Sequence, residues 1–391
     1  MEKSSPTPAL PWIALIALML GPFAFSTGAF VFGGLLAEVA AGLEVSVSAA
    51  AQLQTGFTLA CAVGGPALAI ALAKWDKRRL LIVVALFLTA VGAASALVQD
   101  YWALMAVRVA GGFVGALTVP LAPALAVGLV SEAQRSRALA VVSGGTALAL
   151  LFGIPAGSLI GGALGWQAAF WFSAILNLVA AGAIALLVPP AAPAPAAPGL
   201  LQSPIRWPLT GFYLSTLLAF VATFSTVGLI GPLITALTGL TGGAVGGAQV
   251  LVGIGAVAGL ALGALLAERR GPRALPILFA VIVWGQGIYV IALTIGAEGI
   301  AGLVFFALGT LPGATALFAT FPVIATALAA RAGAAATLAF AINGATIFLG
   351  QGVGVAVGTI GFGFAGLQGA SMAGTLVALV GFGFALRLRS V

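Results

Sequence analysis

The chain has 391 residues, no histidine and a single cysteine, Cys61. Without histidine, the commonest metal ligand and the usual acid–base group near neutral pH are missing. One cysteine excludes an internal disulfide framework and any zinc or iron–sulfur site built from several cysteines. From these absences we expect no bound metal and no cofactor, and an enzyme is disfavoured.

Charge is scarce as well, because Asp, Glu, Lys and Arg make up only 6% of the chain. Soluble domains carry about 25% charged residues. Fifteen basic and eight acidic residues cannot cover the surface of a soluble protein of this length. With 62% hydrophobic residues and a mean hydropathy of +1.23, the composition predicts an all-α, polytopic membrane protein.

Long apolar runs divide the chain into twelve predicted membrane spans, since about 20 apolar residues cross a bilayer as a helix. The predicted spans lie near 9–37, 47–73, 80–98, 101–130, 138–163, 168–188, 209–237, 245–267, 274–296, 299–329, 333–361 and 366–386. Several exceed 25 residues, so tilted or kinked helices are expected. The kinks are expected at Pro22, Pro66, Pro120, Pro123, Pro155, Pro232, Pro312 and Pro322. The first span is expected to be retained, because its apolar run is too long for a signal peptide.

The basic residues predict the orientation, because positive charge accumulates in cytoplasmic loops. Fourteen of the fifteen fall on one side: Lys3, Lys74, Lys77, Arg78, Arg79, Arg135, Arg137, Arg206, Arg269, Arg270, Arg273, Arg331, Arg387 and Arg389. Glu44, Asp100 and Glu298 fall on the other side, with Glu38 at its edge. Both termini are therefore predicted to be cytoplasmic. The net charge of +7 is interpreted as a topology signal and not as a nucleic-acid interface.

Residues 189–208 contain seven of the chain's twenty prolines and predict an extended linker after the sixth span. The chain is thus divided into a six-helix bundle at 1–188, this cytoplasmic linker at 189–208, and a second six-helix bundle at 209–391. An internal repeat supports a duplication, since LAKWDKRR at 72–79 and LAERRGPR at 266–273 follow equivalent spans. Repeated six-helix halves around a midplane site are a known transporter architecture.

Glycine is abundant, with 55 residues, and it recurs every fourth position in three spans. The phased sets are Gly153, Gly157, Gly161 and Gly165, then Gly255, Gly259 and Gly263, then Gly350, Gly354 and Gly358. Small residues on one helix face allow close approach of another helix in lipid. We expect these faces to serve helix packing, and a half–half interface that slides during transport is the functional alternative.

Three segments together resemble the major facilitator superfamily, and within it the twelve-span drug:proton antiporters of the arabinose-efflux-permease-like group. GIPAGSLIGGALGWQAAFW at 153–171, which contains Pro155, resembles the antiporter motif of the fifth span. LMAVRVAGGFVGA at 104–116 resembles the fourth-span motif, with Arg108 in the arginine position. LAERRGPR resembles the loop motif, in which Glu268, Arg269 and Arg273 fill the charged positions. The resemblance implies two pseudo-symmetric bundles and spans 1, 4, 7 and 10 around a central cavity.

Two departures from that pattern concern charge. In the first-half loop, Ala73 replaces the expected acid before Lys74, and Asp76 stands where a glycine is usual, ahead of Arg78. The family's cytoplasmic charge latch is therefore weakened, or Asp76 substitutes in it. In the first span, STGAFVFGGLLAEVA at 26–40 resembles a segment whose membrane-embedded glutamate is here Ala29. The usual proton-coupling carboxylate is thus missing at that position.

Arg108 is the only charge well inside a predicted span, and a charge at the bilayer centre costs about 2.5–3.5 kcal/mol on insertion scales. It is predicted to act in substrate binding or coupling; the structural alternative is hydrogen bonding to the backbone or to Ser/Thr of span 1. Other candidates for the cavity are Ser26, Thr27, Phe30, Gln52, Phe220, Phe224, Thr310, Asn343 and Gln351. For the three amides, a role between helices is an equal alternative.

Proton coupling has two candidate carboxylates, Glu38 and Asp100, both at the outer membrane edge. Either one of them couples protons through Arg108, or the carrier is not proton-driven. The prediction is a secondary active exporter of small amphipathic compounds, monomeric, in the bacterial inner membrane. A facilitator or importer of a small neutral or anionic metabolite is the alternative, and a channel or a receptor is disfavoured.

Overall fold

The computed structural model describes residues 11–190, 207–332 and 336–388. Every regular element within these ranges is a helix. Ten apolar segments in these ranges are long enough to cross a membrane. Of the residues used for the predicted orientation, Lys3, Arg206 and Arg389 lie outside the described ranges, as does most of the predicted linker.

The described part of the first half contains nine α-helices. They are α1 (Trp12–Phe30), α2 (Leu36–Gly42), α3 (Val47–Ala71), α4 (Lys77–Leu97), α5 (Tyr101–Gly115), α6 (Thr118–Gly128), α7 (Arg135–Leu148), α8 (Ile154–Leu164) and α9 (Trp166–Leu187). A 3-10 turn, Gly33–Leu35, joins α1 to α2, and a π-helical turn, Ala149–Gly153, joins α7 to α8. Broken pairs of this kind make up the first, fourth and fifth predicted spans.

The second half has fewer and longer helices. They are α10 (Trp207–Val227), α11 (Ile230–Thr238), α12 (Ala244–Arg270), α13 (Leu275–Thr294), α14 (Gly299–Ala332) and α15 (Ala336–Leu388). The backbone of α15 leaves helical geometry at Ala365 and Gly366. This break falls between the last two predicted spans, and Gly271, with φ 53°, ends α12 where the eighth and ninth are separated. The two breaks lie where twelve spans would require separations, and the count of twelve stays a prediction.

Three prolines explain three of the helix breaks. A proline ring clashes with the carbonyl of the residue four positions earlier and offers no N–H to it. Pro120 accounts for the break after α5, where Ala116 follows the helix, and Pro232 accounts for the break at Gly228. Pro155 places the same defect at Leu151, inside the π-helical turn. The prolines at 22, 66, 123, 312 and 322 stay inside continuous helices.

The phased glycines pack each half internally. A Cβ on Gly157 would meet Val31, and one on Gly161 would meet Leu35, both in the first span of the same half. In the second half, Gly259 faces Thr315 of α14, and Gly354 faces Phe224 of α10. The alternative of a sliding half–half interface along these faces is therefore wrong. Gly165 is not on the face at all, because it separates α8 from α9 with φ 92°.

The two halves meet along two pairs of helices, α3 with α15 and α8 with α12. Here other glycines allow the close approach, since a Cβ on Gly162 would meet the backbone of Gly243, and one on Gly253 would meet Leu151. In contrast, a Cβ on Gly144 or Gly344, toward the predicted cytoplasmic ends of their helices, would meet nothing within 4 Å. Within the described residues, the halves are thus closest toward the end that is predicted to be outer.

Candidate functional site

A central cavity lies between the two halves, with about 1100 Å³ of atom-free space that includes its open part. Its walls come from the first span, α3 and the fifth span in one half and from α10, α11, α12, α13 and α14 in the other. The described residues that line it include aromatic, aliphatic, amide and hydroxyl side chains, and no Asp, Glu, Lys or Arg. Such a wall suits a compact apolar molecule that carries a few hydrogen-bonding groups.

The polar groups of this cavity are concentrated in the second half. The hydroxyls of Tyr289 and Thr310 are 2.7 Å apart and share a hydrogen bond between α13 and α14. Gln286 donates through Nε2 to the hydroxyl of Thr226 at 3.2 Å, which joins α13 to α10. The ring of Tyr289 also stacks on Phe306, with centroids 6.2 Å apart. These contacts hold the polar side chains in fixed positions on the cavity wall.

Aromatic and amide groups close the cavity between the halves. The rings of Phe30 and Phe224 lie 5.8 Å apart across the interface. Ser158 of α8 donates to Oε1 of Gln249 of α12 at 2.7 Å, and both side chains are buried. Because each of these contacts joins one half to the other, both must break when the two halves separate there.

Of the predicted cavity residues, Phe30, Phe224 and Thr310 line the central cavity. Gln52 instead donates to Thr359 of α15 at 2.6 Å and so joins the halves. Asn343 accepts a hydrogen bond from Thr216 at 2.7 Å, within the second half.

The remaining candidates of this group are not in the cavity lining. Ser26 donates to Thr146 at 3.3 Å, and Thr27 packs against Gly153. Phe220 contacts the ring of Phe224 at 5.9 Å. Gln351 is 8% exposed, and its Oε1 has no hydrogen-bond partner among the described residues.

Arg108 is buried inside the first half and does not line the central cavity. Its guanidinium donates to the backbone oxygens of Gly28 at 2.9 Å and Ala29 at 2.7 Å. Both carbonyls belong to the last turn of α1, where carbonyls lack partners within the helix. The guanidinium also stands 4.2 Å from the ring centroid of Phe57. Arg108 therefore caps the interrupted first span, which is the structural alternative stated for it.

The two carboxylates predicted for coupling lie apart from both Arg108 and the central cavity lining. Asp100 is exposed, and its Oδ1 accepts the N–H of Ala103 at 2.8 Å as the N-cap of α5. Glu38 is half-buried in the first turn of α2.

In the first-half loop, charged residues bind neighbouring helix ends. Asp76 accepts the N–H of Arg79 at 2.7 Å and caps α4. Arg78 donates through Nε to Val188 at 2.7 Å and also to Ala185, so it caps the end of α9. Lys74 is exposed. These bonds lie within the first half. In this conformation Asp76 therefore does not take the place of the acidic residue in a charge latch between the halves.

Glu268, Arg269 and Arg273 of the second loop are exposed. In the fifth span, Gly153, Gly157 and Gly161 are buried against the first span, while the carbonyl of Pro155 lies against Gly246 of α12. Among the described residues, no group of three or more His, Cys, Asp or Glu side chains is placed to hold a metal ion.

Ser158, Gln249 and Thr359 were not among the residues that the sequence singled out. Gln249 has a sequence signal, because it is an amide in an apolar helix and lies in the second repeat about where Gln52 lies in the first. A systematic comparison of the two halves would therefore have found the pair. The serine and threonine carry no such signal, since most hydroxyls in membrane helices bond their own backbone.

Comparison with known proteins agrees with this architecture. Residues 18–335 match the family model of the Major Facilitator Superfamily. A chloramphenicol resistance protein of Streptomyces lividans is 31% identical over 281 residues, which cover 70% of this chain and 71% of that protein. The inner membrane transport protein YdhP of Escherichia coli K12 is 27% identical over 94% of both chains.

Solved structures share the fold. An inward-facing, occupied bacterial homolog of the human lysosomal transporter Spinster superposes with a TM-score of 0.76 at 15% identity, over 98% of this chain and 97% of that one. A D-xylose–proton symporter gives 0.71 at 17% identity, over 96% and 98%. With the family match over most of the chain, the helical architecture and the cavity between its halves, this protein belongs to the Major Facilitator Superfamily and is a multi-pass membrane transporter, not an enzyme.

Proposed function

We propose that this transporter exports small amphipathic compounds from the cytoplasm by alternating access, as a monomer in the bacterial inner membrane. Two relatives support the direction and location by their names, one as a chloramphenicol resistance protein and the other as an inner membrane transport protein. The division into bundles at 1–188 and 209–391, joined by a linker at 189–208, belongs to the same proposal.

The observation that carries the proposal is the composition of the central cavity. Phe30, Phe224 and Phe306 offer aromatic surface, while Gln286, Tyr289 and Thr310 offer hydrogen-bonding groups. An amphipathic molecule satisfies both kinds of wall at once, because burying a polar group without a partner costs free energy. An aromatic pocket also tolerates several ligand shapes, which is useful to an exporter of foreign compounds.

The distribution of contacts between the halves supports alternating access. The halves are joined at the predicted outer end by Ser158 with Gln249 and by Gln52 with Thr359. Toward the predicted cytoplasmic end, Gly144 and Gly344 face open space. In the proposed cycle, this inward-facing arrangement accepts substrate from the cytoplasm, and rocking of the halves then exposes it outside.

The proposal includes two mechanisms of transport, one with proton antiport and one without it. In one, Glu38 or Asp100 exchanges protons in the outer vestibule and acts through Arg108. In the other, the protein is a facilitator or importer of a small neutral or anionic metabolite without antiport, and the uncharged side chains described in the cavity favour a neutral one. The two differ in their response to an imposed pH gradient.

The test uses purified protein in liposomes with radiolabelled chloramphenicol as the first probe. We expect saturable, trans-stimulated flux in the parent protein and at least a severalfold lower flux in Phe224→Ala and Thr310→Val. Phe364→Ala is the matched control, because that side chain is 88% exposed and is not part of the cavity lining. A flux that is unchanged in both cavity variants would contradict the proposed site. A flux that does not depend on the pH gradient would favour the facilitator over the antiporter.

A further inference from the structure

A second cavity lies inside the first half, separate from the central cavity. It has about 310 Å³ of atom-free space, which includes its open part, between α1, α3, α4, α5 and α9. Arg108, Ser95, Asn177 and Ala29 are among its lining residues. The two cavities share no lining residue, so a ligand in the second would not occupy the substrate pathway proposed above.

The charge of Arg108 has no carboxylate partner in the described part of the chain. The side chain is 2% exposed, and its two terminal nitrogens donate to the carbonyls of Gly28 and Ala29. Carbonyl dipoles and the ring of Phe57 stabilise a cation, but they supply no formal negative charge. A cation buried in a medium of low dielectric constant attracts an anion much more strongly than it would in water.

Two hydrogen-bond donors on the wall of this cavity lack partners among the described residues. One is Nε of Arg108, and the other is the hydroxyl of Ser95, whose side chain is 1% exposed. Buried donors are ordinarily paired, and each unpaired group calls for a partner. A cation and two free donors around one small cavity are the chemistry that a small monovalent anion requires.

We propose that this cavity binds chloride as the counter-ion of Arg108. The anion accepts hydrogen bonds from Nε of Arg108 and from Ser95, and it neutralises the buried charge of Arg108. Phe25 and Phe57 complete an apolar wall that keeps the interaction strong. Chloride then stabilises the folded first half without taking part in the chemistry of the central cavity.

The experiment measures the melting temperature of the purified full-length protein in sodium chloride, sodium bromide and sodium gluconate at equal ionic strength. A ligand that binds only the folded state raises the melting temperature with its concentration. We expect a saturable rise with chloride and bromide and none with bulky gluconate. Equal melting temperatures in all three salts would overturn the proposal.

Variants separate this site from general salt effects. Ser95→Ala removes one donor and should raise the chloride concentration needed for half of the effect by about tenfold. Ser371→Ala removes a buried hydroxyl in the other half, which bonds Leu367 of its own helix, and should respond like the parent. A Ser95→Ala response equal to that of the parent would place the effect elsewhere and overturn the proposal.

Ala29→Glu tests the counter-ion role directly. Ala29 lines the cavity beside Arg108, so a carboxylate there supplies the negative charge within the chain. The melting temperature of this variant should no longer depend on chloride; retention of the full dependence would contradict the assignment. Bromide-soaked crystals of the parent protein give an independent answer, with an anomalous peak expected beside Nε of Arg108 and its absence counting against the site. None of these readouts depends on transport.

Discussion

Arg108 and Arg78 each cap the C-terminal end of a helix. Arg108 donates to the carbonyls of Gly28 and Ala29 at the end of α1, and Arg78 donates to those of Ala185 and Val188 at the end of α9. Such carbonyls carry the negative end of the helix dipole, and at the end of α1, inside a predicted span, lipid offers them no water to bind. A planar guanidinium can serve two carbonyls at once from one side chain.

Arg108→Lys should destabilise the protein although it keeps the charge. An ammonium cannot reproduce the fixed fork to two carbonyls, so we expect a loss of about 1–3 kcal/mol in the free energy of unfolding. The measurement is thermal or denaturant unfolding in detergent, with Arg79→Lys as the control on an exposed side chain. A variant that unfolds like the parent would show that the fork does not stabilise α1.

At the scale of the helices, proline and glycine have different structural effects. Proline decides where three spans break, through the carbonyl four residues earlier, as at Ala116 before Pro120. Glycine decides how closely two helices approach, as where Gly157 meets Val31. The proline break of the seventh span and the 3-10 turn of the first span both lie at the wall of the central cavity. The close approaches fix each half as a packed unit.

Gly157→Leu should damage folding of the first half. The new side chain would collide with Val31 in the neighbouring first span, where the glycine now leaves no spare room. Overpacking of this kind costs about 1–3 kcal/mol or more, so yield and melting temperature should fall. Leu159→Ala, two residues away and 51% exposed, is the control and should have little effect. The idea of intra-half packing fails if Gly157→Leu folds normally and changes only transport.

The sequence predicts the helices well and their partners poorly. Apolar runs and prolines locate most helix ends to within a few residues, because both signals act along the chain. The spacing of Gly153, Gly157 and Gly161 identifies a face, but it carries no information on which helix covers that face. Similarly, Arg108 is conspicuous in sequence while its partners are backbone carbonyls, which every residue has. Asp76 and Asp100 were considered for a latch and for coupling, although an acidic residue just before a helix is also the usual N-cap pattern.

At the scale of the whole molecule, two amide–hydroxyl pairs join the halves at the predicted outer end. Gln52 of α3 pairs with Thr359 of α15, and Gln249 of α12 pairs with Ser158 of α8. Each pair links the second span of one half to the fifth span of the other. The duplication thus places equivalent contacts on both sides of the cavity, and opening of the outer end must break both.

Removing both hydroxyls, by Ser158→Ala with Thr359→Ala, should shift the carrier toward the outward-facing state. Each lost hydrogen bond is worth about 1 kcal/mol, so the ratio of the two states should change by roughly tenfold or more. Spin labels at Glu44 and Glu298, which are exposed in the predicted outer loops of the two halves, report the separation.

The matched control for that pair is Ser215→Ala with Thr346→Ala, because both of these hydroxyls bond only the backbone of their own helices among the described residues. We expect the control to leave the distance distribution unchanged. If the Ser158 and Thr359 substitutions also leave it unchanged, the two pairs do not determine which face is closed.

The uncharged lining of the central cavity has an electrical consequence. A potential of 100 mV across the membrane is worth about 2.3 kcal/mol for each elementary charge that crosses it. The described cavity residues offer that field no charge to move, so a neutral substrate would cross without current. Without a coupled ion, membrane voltage neither drives nor opposes the movement of such a substrate. Uphill export would have to draw its energy from an ion bound outside the central cavity, and without one the flux would simply follow the substrate's own concentration.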